Sequence, residues 1–325
     1  MSNFFNLLKT FIKTTELTSA EKKRSKHFYT IMGTAVVLLI MIPAGALVGI
    51  ITYALTLGVM TYGGATQGAE VILHIISILS VVFGINVIIN IFYFSNDIEN
   101  LIPLPLKPRE IVSAKFAYSL LSENIMEFIL ILGACVGFMS AKGFSLTGVI
   151  TSIIGILTVP IIPLAYCGII AVIFMYFTHS VKNRDFLNKI TGIGTAVLIV
   201  GALVALVSIS GFNPDAIVTS LASADNGFLN VMNFIFPHIP LMMDSISSES
   251  VYQLLLYLLA NVIFVAVFLF LASKMYIKGV SDINTTKSKR SKSIASQAVE
   301  KSTQKGVFAS YLKKEFLILF RTPPF

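Results

Sequence analysis

The sequence contains no tryptophan, only two cysteines and few charges. The two thiols, Cys135 and Cys167, both fall inside apolar runs, which excludes a disulfide framework and any zinc-type cysteine spacing. The four histidines, His27, His74, His179 and His238, are scattered and share no metal-ligand spacing. Charged residues make up 12% of the 325 residues, against roughly 25% in soluble domains. With tryptophan absent, aromatic anchoring at a membrane interface falls to tyrosine and phenylalanine.

Nucleotide and hydrolase motifs are missing as well. The run Gly63-Gly64-Ala65-Thr66-Gln67-Gly68 lacks the lysine that a P-loop uses to reach phosphate. The chain is therefore expected not to be an ATPase, and any ATP-driven mechanism must borrow its motor. Gly143-Phe144-Ser145 is not a serine-hydrolase elbow, because Thr147 stands where the second glycine belongs. No catalytic residue, metal ligand or cofactor site is expected.

What is there is apolar sequence: 55% hydrophobic, with a mean hydropathy of +0.84. The expected fold is all-α, a polytopic membrane protein. A bilayer core of ~30 Å needs about 20 apolar residues per helix. On that measure six transmembrane helices fall near 28–55, 71–94, 116–141, 146–177, 190–211 and 251–275, within a membrane domain over 28–278. The fourth is too long for one straight span, and Pro160 and Pro163 are expected to kink it.

Around this domain the chain reads as follows. Residues 1–27 hold an amphipathic N-terminal interfacial helix, with Phe4, Leu7, Leu8 and Phe11 opposite Lys9 and Lys13, and then a basic cluster. The apolar loop 212–250, broken by Pro237 and Pro240, is expected to form a re-entrant or interfacial helical hairpin. Residues 279–306 carry six Ser and six Lys or Arg without an aromatic, so a disordered linker is expected. Residues 307–325 read as a second interfacial helix, and Arg321-Thr322-Pro323 looks like the entry to another span.

The basic residues set the topology. With the amino terminus inside, all of the 24 Lys and Arg except Lys142 lie on internal segments or inner span ends. The external loops carry Glu70, Asp215, Asp225, Asp244 and Glu249. This is the positive-inside pattern, and it accounts for the net charge of +8 without nucleic acid. A plasma-membrane location with a cytoplasmic amino terminus follows.

Residues 95–115, SNDIENLIPLPLKPREIVSAK, interrupt the apolar pattern with six charges and three prolines. Pro103, Pro105 and Pro108 exclude a regular helix over 101–108, and Pro108-Arg109-Glu110 suits the first turn of a new one. A stiff, charged loop beside a membrane is a handle for a soluble partner. Asp97-Ile98-Glu99-Asn100-Leu101-Ile102-Pro103-Leu104-Pro105-Leu106-Lys107-Pro108-Arg109-Glu110-Ile111 resembles the first cytoplasmic loop of a bacterial family of ABC exporter permeases, the transmembrane subunits of type II ABC exporters. Pro160 and Pro163, followed by a short basic loop with Lys182, Arg184 and Asp185, resemble the same family, as does the stretch 313–323. The resemblance implies that Asp97, Glu99, Leu101, Pro103, Leu104, Pro105, Lys107, Pro108, Arg109 and Glu110 dock a separate ABC ATPase subunit, which binds the ATP. It implies a secondary contact at Lys182, Arg184 and Asp185. It further implies a second permease half or copy, with this chain as the first half.

Inside the spans, the acidic pair Glu123 and Glu127 stands out. The two lie four apart on one helix face, and the 14 residues from Phe128 to Ala141 are too few to cross without them. A central carboxylate costs about 2.5–3.5 kcal/mol on insertion scales, so it should face protein or water. One reading makes Glu123, Asn124 and Glu127 part of a translocation path. The other makes them packing groups that hydrogen-bond to Asn86 and Asn90. Two functions follow: an ATP-driven exporter permease coupled through 95–115, or an ion- or proton-coupled secondary transporter using Glu123 and Glu127.

Overall fold

The computed structural model describes residues 2–17, 25–93, 107–177, 196, 214–223 and 226–300. The described residues form helices and short turns, with no strand among them. In chain order these are α1 (Ser2–Leu17), α2 (Ser25–Thr61), α3 (Gln67–Tyr93), α4 (Pro108–Lys142), α5 (Leu146–Thr158), α6 (Ile161–Phe177), α7 (Pro214–Ala222), α8 (Gly227–Ile235), α9 (His238–Ser248) and α10 (Val251–Glu300).

Four stretches are long and apolar enough to cross a membrane: Leu39–Thr61, Gln67–Tyr93, Leu146–Ile173 and Val251–Tyr276. α4 makes a fifth if its limbs, Pro108–Ile125 and Glu127–Lys142, bent by 59°, count as one span. Of the expected span at 190–211 only residue 196 is described, and the described residues hold four candidate spans, or five with α4.

The bend in α4 has a local cause. Neither proline nor glycine lies between Lys115 and Leu132. Instead, Ser119 Oγ donates to Lys115 O at 2.9 Å, Ser122 Oγ to Tyr118 O at 3.0 Å and Asn124 Nδ2 to Leu120 O at 3.2 Å. Side chains that bond back one turn compete with the helical ladder and bend it. At the fourth expected span, Pro160 marks the interruption between α5 and α6. Pro163 sits in the first turn of α6, where its missing N–H is no loss.

Residues 214–223 and 226–250 hold three short helices. The chain breaks at Phe236–Pro237, and Pro240 is absorbed into the first turn of α9 rather than breaking it. α9 buries His238, Ile239, Met242 and Met243 and packs on α10, α5 and α3.

α10 runs on to Glu300, into the segment 279–306 that the composition reads as a disordered linker. Its composition is polar, but it has no proline and, after Gly279, no glycine before Gly306. A helix already nucleated by an apolar span extends cheaply, with one hydrogen bond gained per residue fixed. The segment 307–325 lies outside the described residues.

Antiparallel α3 and α4 form the centre, and the cores lie at their two ends. At the end where α3 finishes and α4 starts, here the loop end, Phe92, Phe116, Phe268 and Tyr276 pack with Leu7 and Phe11 of α1. At the opposite, far end, Leu73, Ile131, Phe138, Phe236, Ile239 and Tyr257 form the second cluster. α2 runs parallel to α4 and crosses it on glycine. A Cβ on Gly133 would lie 2.2 Å from Gly45 O, and one on Gly137 would lie 2.2 Å from Gly49 O. Small residues four apart on both helices let backbones touch, which is how helices associate where no hydrophobic force drives them together. Other faces of α2 and of α10 expose Leu39, Ile40, Ile50, Leu255, Val262 and Phe270. Faces of that kind suit hydrocarbon as solvent.

Candidate functional site

The charged loop begins and ends on well-defined helices. α4 starts at Pro108, as the Pro-Arg-Glu order predicts. Lys107 is extended (φ −72°, ψ 139°), and its N–H donates to Glu110 Oε2 at 3.2 Å, which meets one orphan donor of the helix start. Lys107 and Arg109 are exposed, while Pro108 and Glu110 are half-buried. Asp97, Glu99, Leu101, Pro103, Leu104 and Pro105 lie outside the described residues, and so do Lys182, Arg184 and Asp185.

The base of that loop is tied. Lys115 is buried, and its Nζ donates to Ile91 O at 2.7 Å. Tyr276 Oη of α10 donates to Phe92 O at 2.9 Å. Both acceptors belong to the last turn of α3 as described, which ends at Tyr93. A lysine there also meets the negative end of the helix dipole. Phe11 of α1 covers the same lysine, its ring centroid 5.6 Å from Nζ, and stands 6.3 Å from the Tyr118 ring. α1, α3, α4 and α10 therefore meet at one joint, where the described part of α3 finishes and α4 starts.

This joint sets the register along α3 and α4. Lys115 lies beside Ile91, Glu123 beside Gly84 and Glu127 beside Ser80. Glu123 and Glu127 are both buried, and their carboxyls are neighbours. The Ser80 hydroxyl and the Glu123 carboxyl are the hydrogen-bonding groups that face Glu127, but among the described residues neither Glu127 oxygen nor Ser80 Oγ has a well-aligned bond. Gly84 leaves the space in which Glu123 reaches α3. A Cβ there would come within 3.4 Å of Cys167 Sγ and 3.9 Å of Glu123 Oε1.

The expected asparagine partners are elsewhere. Asn90 Nδ2 donates to Asn86 O at 2.8 Å within α3, and the groups that act on Glu127 are Glu123 and Ser80. The antiparallel register places both asparagines nearer the loop end than either glutamate. Asn124 turns from the acidic pair to α5, where its Nδ2 donates to Leu157 O at 3.3 Å, a packing role.

Sequence reasoning missed the hydroxyls. Glu70, His74, Ser77 and Ser80 are all buried on α3, at spacings of four, three and three. Serine in an apolar helix is too common to stand out; of these four, Ser80 faces Glu127 of α4, while His74 and Glu70 face Asn233. At the far end Thr66 Oγ1 donates to Glu70 Oε1, and His74 Nε2 and Asn233 Oδ1 are 2.7 Å apart. The scattered histidines are also partly reunited: Phe236 lies 6.2 Å from both the His74 and His238 rings, and His238 stacks on Tyr257 at 6.4 Å. Burial, with the His74 ring nearby, pushes the His238 imidazole down to about 3, so it is neutral. Burial raises the Asp244 carboxyl, and Lys142 partly offsets the shift. Ser145, rejected above as a nucleophile, caps α5 by accepting from Gly148 N–H at 3.0 Å.

No family model matches the chain, and neither a curated protein nor a solved structure matches it.

Proposed function

We propose that the chain is the transmembrane permease subunit of an ATP-driven exporter of the type II ABC class. In this reading it crosses the plasma membrane six times with its amino terminus in the cytoplasm. α1 lies at the inner interface, and a second permease half or copy completes the path. Residues 95–115 receive a separate ABC ATPase.

One observation carries the reading beyond sequence resemblance: the joint at the base of that loop. A push on residues 94–106 reaches α3 through Ile91 and Phe92 and α4 through Pro108 and Lys115. The Lys115 bond to Ile91 O makes the two helix ends move together. The 59° bend beyond Ile125 then offers a place where tilting of the first limb need not drag the second. Loop motion is thereby passed to the interior of the membrane domain, as coupling to an external motor requires.

The test is co-purification. Tagged chain extracted from its native membrane in mild detergent should bring an ATP-hydrolysing subunit with it. Hydrolysis by that subunit should respond to the presence of the chain. Recovery of the chain with no nucleotide-binding protein would reject the proposal.

A further inference from the structure

We propose that the α3–α4 seam holds a proton-binding site. The carboxyls of Glu123 and Glu127 share one proton, and Ser80, Ser77 and His74 connect them to the far end of the bundle. The proposal is independent of the ATPase reading, since every residue in it belongs to this chain.

The first ground is the absence of a counter-charge. Across the seam, α3 presents Ser80 to Glu127, and α6 presents the Cys167 thiol within electrostatic reach of both carboxyls. From α5 the contact beside the pair is the Leu157 carbonyl, taken by Asn124. α2 meets α4 on its glycine face instead. The Lys115 ammonium on α4 itself is engaged by Ile91 O. Among the described residues no cationic group of any packed helix acts on either glutamate. Two adjacent carboxylates in an apolar setting repel each other and lose their hydration. A proton held between them removes one charge and supplies a hydrogen bond. A metal is a poorer occupant, because no third His, Cys, Asp or Glu joins the pair among the described residues.

The second ground is the row of unmet polar atoms. Glu127 faces the Ser80 hydroxyl and the Glu123 carboxyl closely enough for each to act on it, yet Glu127 Oε1 and Oε2, Ser80 Oγ, Ser77 Oγ and His74 Nδ1 are all buried with no well-aligned hydrogen bond among the described residues. They follow one another from the middle of the seam to the far end. Buried polar atoms are almost always paired, so five in a row point to a shared hydrogen-bonding ligand. A hydroxyl both donates and accepts, and neutral histidine has one nitrogen of each kind, so each member can receive a proton on one side and release one on the other. At His74 the row joins Asn233, which also neighbours Glu70. With a rise of 1.5 Å per residue, Glu70 to Ile91 spans about 30 Å, the thickness of a bilayer core.

The probe is dicyclohexylcarbodiimide on the full chain in lipid vesicles. The reagent takes the proton of a carboxylic acid, the carboxylate adds to its central carbon, and rearrangement leaves a stable N-acylurea with the whole reagent attached. Mass spectrometry should place the adduct on Glu123 or Glu127. Its yield should fall about tenfold per unit of rising pH once the proton is lost. Glu127→Gln should remove most of the adduct. In wild-type chain the infrared carbonyl band of the protonated acid should shift in heavy water, and Ser80→Ala should slow that shift severalfold. No adduct on either glutamate between about pH 5 and pH 9, where a shared proton would be present for part of the range, would overturn the site. Exchange at the wild-type rate in Ser80→Ala would overturn the connection. Neither measurement needs an ATPase, so the outcome is separate from that of the co-purification.

Discussion

Lys115 Nζ lies 2.7 Å from Ile91 O, closing the end of α3 with a side chain from the start of α4. The contact joins the two helices flanking the charged loop, and the buried aliphatic stem of the lysine leaves little room for water to replace it. Lys115→Met keeps the stem and removes the donor. The expected loss is about 1.5–3 kcal/mol, the range for hydrogen bonds to charged groups. Thermal unfolding in detergent measures it, and an unchanged midpoint would show that the carbonyl finds another donor.

Lys107 and Arg109 are exposed at the first turn of α4, so their charge can be reversed without disturbing the core. If the loop docks an ATPase, Lys107→Glu with Arg109→Glu should abolish association, because like charges across an interface cost several kcal/mol. Insertion should survive on the remaining basic segments. The readout is the amount of ATPase that co-purifies. Retention of the wild-type amount, with normal stimulation of hydrolysis, would remove the docking role.

Topology can be read with single cysteines, since Cys135 and Cys167 are both buried and give little background. Ala65 is exposed in the turn between α2 and α3, and Lys107 at the loop end. With the amino terminus inside, Ala65→Cys should react with an impermeant maleimide added to intact cells, and Lys107→Cys only after the cells are opened. The reverse pattern would invert the proposed orientation.

The glycine crossing predicts a sharp size limit. Gly137→Ala puts a methyl group 2.2 Å from Gly49 O, and backbone cannot yield as a side chain can. Overpacking of this kind costs about 1–3 kcal/mol. Gly227→Ala, which meets nothing within 4 Å, is the control and should unfold like wild type.

His238 makes stability depend on pH. Its folded value near 3 lies below the ordinary 6.5, so the unfolded chain binds the proton more readily. The stability this neutral ring sustains is complete above about pH 6.5 and declines as pH falls toward 3, by on the order of 2 kcal/mol at about pH 5. His238→Phe keeps a ring against Tyr257 and Phe236 but cannot titrate. Its unfolding midpoint should change less between about pH 7 and pH 5 than that of wild type. Equal changes in both proteins would assign the pH dependence to other groups.

Much of the helix content was legible because it rests on local rules. Pro108 starts α4 and Pro160 interrupts the fourth expected span, while the acidic pair at 123 and 127 is buried among the helices. What was not legible is the register between helices. Asn86 and Asn90 looked like partners for Glu127 by chemistry, yet the Lys115–Ile91 bond slides Ser80 opposite Glu127 instead. The glycines at 45, 49, 133 and 137 passed unnoticed because each helix shows only half of a contact whose meaning lies in the pair. The extension of α10 to Glu300 was missed because a polar composition speaks of burial and not of what a preceding span has already nucleated. The loop residues 97–105 and the basic group at 182–185 lie outside the described residues.

The α2–α4 crossing also determines how this chain can vary. On one side of α2, a Cβ on Gly45 would lie 2.4 Å from Ile129 Cγ2 and 2.7 Å from Ile129 O, and one on Gly49 would lie 3.1 Å from Gly133 O, so larger residues are selected against there, most strongly at Gly45. One helical step away, Leu39, Ile40 and Ile50 touch no part of the fold closely, and any apolar residue serves there. A library of α2 variants scored for surviving protein should therefore show intolerance recurring every fourth position, with permissive sites between, and the same rhythm should appear on α4 at 133 and 137. Such a beat, read from survival counts alone, would report the contact between the two helices.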